Sequence, residues 1–217
     1  MSNEKPLINE VLSRWLEPPQ DLVPDLDCVA CTLSTEDRAH AQRWRDFKCC
    51  AFQPFFANFL CGAMLEAGIS PFVDSQRVSL QPLGLIPTRD FRDRCEKTPD
   101  ALRDKTHLCA FYQRDTRQCS VWKFRPGECS FYFCKSNTRR ETWSTRAFAV
   151  ENGLAQMALA QQGFSPARIA EQVDFLNSPP LGLPSLTRAE AEEIYRAAWT
   201  FAKAQDALSV ASWLRQG

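Results

Sequence analysis

Apolar residues along this chain recur mostly at helical intervals. Ile8, Val11, Leu12 and Trp15 fall at i, i+3, i+4 and i+7, predicting a short amphipathic helix that Glu17-Pro18-Pro19 ends. Residues 18–27, rich in proline and acids, read as a loop, and residues 35–45 are polar and helix-competent. Residues 54–68 differ: Phe55, Phe56, Phe59, Leu60, Ala63 and Met64 cover much of a helix surface, so this helix is predicted to be buried, with Gly68 as its C-terminal cap. Over 106–122 two short β-prone runs flank the polar Gln113-Arg-Asp-Thr-Arg117, predicting a small hairpin with Cys109 and Cys119 on opposite strands. Arg125-Pro-Gly-Glu128 then turns the chain sharply.

Helical spacing returns at Trp143, Ala147, Val150, Leu154, Met157 and Gln161, in a segment closed by Gly163. Ser165-Pro166 supplies a cap residue and an N1 proline to a helix over 168–176. Pro179, Pro180 and Pro184 mark a linker, and Thr187-Arg-Ala-Glu190 is a capping box opening a long C-terminal helix through Ile194, Ala198, Phe201, Leu208 and Ala211. The expected fold is mainly α with a small β-hairpin, a metal-stapled cysteine-rich lobe packed on a helical body. Residues 1–27 read as an N-terminal helical arm and loop, 28–137 as a cysteine-cluster metal-binding domain, and 138–217 as a C-terminal helical region packed on the same core.

Composition narrows the function. The 217 residues include 15 Phe and 6 Trp, enough for a sizeable core, and 26 basic residues balance 26 acidic ones. No global field therefore draws the chain to nucleic acid or to a membrane surface. No stretch approaches the roughly 20 apolar residues of a membrane span, and the first residues lack the apolar run of a signal peptide, so a cytoplasmic protein is expected. With 8 glycines, no G-x-G-x-x-G, G-x-x-x-x-G-K-[ST] or G-x-S-x-G occurs, which removes the usual nucleotide and hydrolase signatures.

The candidate chemistry lies in the 10 cysteines. Cys109, Cys119, Cys129 and Cys134 crowd one stretch, and Cys28, Cys31, Cys49 and Cys50 form a second group upstream. With only 2 histidines, a metal here would be bound almost wholly by sulfur, and thiolates select zinc, iron–sulfur clusters or Cu(I). Cys28-Val-Ala-Cys31 is a C-x2-C chelate, whereas adjacent Cys49 and Cys50 diverge and serve two metals, or two irons of one cluster, more easily than one small ion. Cys61 lies in an apolar run and reads as a small hydrophobe, and Cys95 lies in a polar segment without a nearby partner in sequence; both are set outside the site.

These residues resemble the YkgJ-type cysteine-cluster family, also described as a CxxCxxCC zinc- or iron-chelating domain. The likeness spans roughly residues 28–135, and it is most specific at Lys48-Cys-Cys-Ala-Phe-Gln-Pro-Phe-Phe-Ala-Asn-Phe-Leu60 and at Cys119-Ser-Val-Trp-Lys-Phe-Arg-Pro126 with Cys129 and Cys134. The family's eight cysteines fall on Cys28, Cys31, Cys49, Cys50, Cys109, Cys119, Cys129 and Cys134. Seventeen residues rather than two separate Cys31 from Cys49, which leaves open whether all four upstream thiols share one site. A related domain occurs in flagellin lysine methylases, where the resemblance implies an iron–sulfur cluster, but no catalytic residue outside the cysteines can be matched.

Two functions compete. One is a protein whose eight thiolates hold one or two iron–sulfur clusters, 4Fe-4S among them, for redox or radical-type chemistry with a redox partner. The other is a non-enzymatic zinc module that staples a lobe and presents a surface to a protein partner. Thiol–disulfide exchange at Cys28-Val-Ala-Cys31 is the weaker third, because Asp25 and Asp27 precede the motif where an apolar strand would stand, and nearby carboxylates raise a thiol's pKa.

Overall fold

The computed structural model describes residues 7–12, 53–97, 108–113, 115–116, 118–130 and 138–205. In chain order the elements are α1 (Leu7–Leu12), β1 (Phe56–Ala57), α2 (Asn58–Glu66), β2 (Val78–Gln81), β3 (Gly84–Pro87) and α3 (Arg89–Lys97). There follow β4 (Tyr112–Gln113), β5 (Gln118–Cys119), a single 3₁₀ turn (Trp122–Phe124), α4 (Gly127–Ser130), α5 (Thr138–Gln161), α6 (Pro166–Asn177) and α7 (Arg188–Ala204). The chain is thus mainly helical. It carries a three-stranded antiparallel sheet in the order β1-β3-β2 beside the two-stranded ribbon β4-β5. The expected hairpin accounts for the ribbon alone.

The buried helix α2 organises the packing. Phe59 and Leu60 face a cluster with Ile8 and Val11 of α1, Val150, Leu154 and Ala158 of α5, and Ala198 and Ala202 of α7. Cys61, Ala63 and Met64 face a second cluster with Val78, Leu85, Phe111, Val121, Phe124 and Tyr195. A helix apolar all round is stable only when covered on all sides, and here α7, α5, the three-stranded sheet and the 3₁₀ turn do the covering. Gly62 lets α2 and α7 meet: a Cβ there would stand 2.0 Å from the backbone oxygen of Tyr195 and 2.6 Å from Cβ of Trp199. Tyr195, fully buried, donates to the Gln81 carbonyl at 3.0 Å and so ties α7 to the sheet.

Asn58 opens α2 and holds three pieces together. Its backbone N–H donates to Leu83 O at 2.8 Å, and its Nδ2 donates to Pro82 O at 3.2 Å and to Ala155 O at 3.1 Å. The helix begins here rather than at Pro54 because Phe56 and Ala57 pair with β3, Phe56 opposite Leu85 and Ala57 opposite Gly84. It ends in a Schellman motif: Ile69 N–H reaches Met64 O at 2.8 Å, Gly68 N–H reaches Leu65 O at 3.1 Å, and Gly68 takes φ 74°. The end of α5 repeats this device, with Phe164 bonded to Leu159 O, Gly163 to Ala160 O, and Gly163 at φ 84°.

Other terminators match the sequence reading. Ser165 accepts from Arg168 N with Pro166 at the first helical position of α6, and Thr187 and Glu190 form the reciprocal capping box of α7. Trp15, residues 35–45, Leu208 and Ala211 lie outside the described residues. No helix among the described residues is long and apolar enough to cross a membrane.

Candidate functional site

Of the eight predicted ligands, Cys109, Cys119 and Cys129 fall among the described residues, and Cys28, Cys31, Cys49, Cys50 and Cys134 lie outside them. Cys109 does not stand on a strand. It precedes β4 in a turn closed by Tyr112 N–H on Cys109 O at 3.0 Å, and Cys119 on β5 is paired with Tyr112. Ser120 N–H donates to Phe111 O at 2.8 Å and extends the ribbon. Cys109 is buried in the second core cluster, and Cys119 packs against it beside Phe111, Val121 and Phe124. The ribbon thus sets two thiol-bearing residues on one apolar, aromatic wall. Cys129 sits on α4, whose first turn is closed by Cys129 N–H on Pro126 O at 3.0 Å. Among the described residues no three Cys, His, Asp or Glu side chains converge on one point.

Cys61 behaves as predicted. It is fully buried, its Sγ lies 3.6 Å from Phe56 O, and burial pushes its thiol pKa far above the ordinary value. A thiol held in that state is neither a nucleophile nor a ready ligand.

The segment that follows Cys50 is stitched to both of the other cysteine-bearing pieces. Gln53, buried, accepts Ala110 N–H on its Oε1 at 2.9 Å, immediately after Cys109. Phe55 N–H donates to Glu128 Oε2 at 3.1 Å, immediately before Cys129.

Beneath this seam lies a cavity of about 470 Å³ that reasoning from the sequence missed. Gln53 and Phe55 form one wall, Phe91, Arg92 and Cys95 of α3 a second, Glu128 and Pro126 a third, and Phe148, Glu151 and Asn152 of α5 a fourth. Glu151 is 3% exposed. Its Oε2 accepts Gly127 N–H at 3.0 Å, while its Oε1, buried, has no hydrogen-bond partner among the described residues. Burial raises its pKa from 4.5 to about 8, with the charge of Glu128 adding to the rise and the Gly127 N–H opposing it. Burial also raises Glu128, against the Phe55 N–H and the positive charge of Arg92. Arg92 donates to the carbonyls of Leu176 at 2.7 Å and Asn177 at 3.3 Å, fixing the end of α6 to the cavity's rim. Arg125, buried, lays its guanidinium 3.6 Å over the Trp122 ring, which holds the Arg125-Pro126-Gly127-Glu128 corner in place.

The sequence did carry a signal for Glu151. It stands four residues after Ala147 and three before Leu154, on the apolar stripe of α5 where a solvated acid has no reason to be. The class defined by fold and site is a mainly helical protein with a thiol-bearing ribbon beside an acid-lined cavity. Compared with protein families, curated proteins and solved structures, the chain gives no match.

Proposed function

We propose that this chain is a metal-binding protein whose cysteines hold iron–sulfur chemistry, with Cys28, Cys31, Cys49, Cys50, Cys109, Cys119, Cys129 and Cys134 as the ligand set. The observation that carries the reading is the seam at Gln53 and Phe55. Gln53 follows Cys50 by three residues, and a chain spans at most about 3.6 Å per residue. The Cys49-Cys50 pair is therefore on a short tether to a strand of chain bonded beside Cys109 on one side and beside Cys129 on the other. The donor set is soft, and the wall that receives Cys109 and Cys119 is apolar and aromatic, a surrounding that keeps water from a cluster and tunes its potential. The soft donor set supports such a group, which would supply electron transfer or radical initiation; the chain's own part would be to hold the thiolates and exclude solvent. In this reading the metal staples the ribbon to the helical body, and a redox partner would supply or take the electrons.

Elemental analysis and a visible spectrum on full-length protein purified without oxygen test it. Iron with acid-labile sulfide and a broad visible absorption are expected, and Cys129→Ser is expected to lose metal. Colourless protein with stoichiometric zinc would overturn the iron reading in favour of a structural module. Full metal in Cys129→Ser would remove that residue from the set.

A further inference from the structure

We propose that the cavity between α3, α4 and α5 binds a small uncharged aromatic molecule with a carboxamide or lactam edge, held among phenylalanine rings and paired through that edge with the Asn152 amide. This goes beyond the metal reading, because it uses no thiol.

Three observations lead there. The first is where the rings stand. Phe91 of α3, Phe148 of α5 and Phe55 ahead of β1 belong to three different walls, around a space of about 470 Å³. That is the size of a small-molecule site, and rings on several walls favour a flat aromatic occupant through stacked and edge-to-face contacts. The second is charge. Glu128 and Arg92 lie near enough for their opposite charges to act on each other. Glu128 Oε2 also accepts Phe55 N–H at 3.1 Å, and Arg92 is turned to the Leu176 and Asn177 carbonyls. Glu151 keeps its proton at neutral pH and its second oxygen lies out of solvent reach, so it brings neither charge nor acceptor to the space. A charged ligand would give up water for walls whose charges are already balanced, whereas an uncharged one loses little. The third is Asn152, half-buried on the same lining, whose side-chain amide makes no hydrogen bond to any other described residue. Asn152 follows Phe148 by one helical turn, so the two share a face of α5, and helical side chains lean back over the preceding turn. A ring packed on Phe148 therefore turns its edge to an amide with both donors and an acceptor to offer. A ligand amide matches both at once, its N–H donating to Oδ1 and its C=O accepting from Nδ2.

Titration calorimetry on the full chain at neutral pH with benzamide, benzoate and benzamidine tests the inference, since the three share a ring and nearly a shape but differ in charge. Benzamide is expected to bind with a Kd of about 1 mM or tighter. Benzoate and benzamidinium should each bind at least about tenfold more weakly. Asn152→Ala removes the amide and leaves a strong helix former in α5, so the fold should persist while benzamide weakens by about fivefold or more. Absence of benzamide binding at about 10 mM would overturn the proposal, as would equal or tighter binding of either charged analogue. Unchanged benzamide affinity in folded Asn152→Ala protein would also overturn it. The charge series on the native chain keeps the proposal open to refutation even if the variant folds poorly.

Discussion

Replacing Glu151 with glutamine should change how the protein's stability depends on pH. In the unfolded chain this carboxyl titrates near its ordinary value of 4.5; in the folded protein it titrates near 8. Below the lower value both states hold the proton, and the folded state carries no penalty. Between the two values the unfolded chain releases the proton and the native protein keeps it. The native state then binds more protons, and stability falls as pH rises, by up to about 1.4 kcal/mol per unit. The whole window is worth about 5 kcal/mol, complete once pH passes the folded value. A glutamine in this place does not titrate, and its side-chain oxygen can still accept Gly127 N–H. Urea denaturation of both proteins from about pH 5 to about pH 9 gives the difference directly, and the thiols and other acids common to both cancel in it. The variant should gain on the native protein by about 2–5 kcal/mol across that range. A difference that is flat with pH, or that turns against the variant as pH rises, would refute the burial argument for Glu151.

Three further outcomes follow from the packing. Gly62→Ala should destabilise by about 3 kcal/mol or more in a denaturant melt, because its Cβ would meet the Tyr195 backbone at 2.0 Å and neither helix can yield easily. Asn58→Ala strips the donor from Pro82 O and Ala155 O and should cost about 2–3 kcal/mol. Cys61→Ala should leave the metal content unchanged, and in the native protein Cys61 should resist alkylation at mildly alkaline pH until the fold opens, as mass spectrometry of labelled peptides would show.

Much of the helical part of the fold was legible because its signals are local, although α3, a polar segment, and the single turn of α4 were not read as helices. Gly68 and Gly163, Ser165-Pro166, and Thr187 with Glu190 each terminate an element through bonds within a few residues. The sheet was not. Every residue of β3 is buried, and so are three of the four in β2, so no alternation of apolar and polar positions exists to betray the strands. The turn Pro82-Leu83 is likewise without the usual Asn-Gly signature, and what makes it possible is distant: Gly84, at φ 145°, admits the Phe56 backbone, against which any Cβ would stand at 2.0 Å. β1 reads as the start of a helix for the same reason, since only its pairing with β3 makes it a strand.

The candidate site divides along the same line. Cysteine spacing is a property of the chain, so the thiol groups were visible at once. The cavity arises from residues as far apart as Gln53 and Asn177, and no window of sequence contains it. Yet its most informative residue, Glu151, violates the helix pattern around it, and such violations are where a fold tolerates a cost. The two halves meet at Gln53 and Glu128, which both line the cavity: Gln53 accepts the N–H of Ala110, the residue after Cys109, and Glu128 directly precedes Cys129 and accepts the N–H of Phe55.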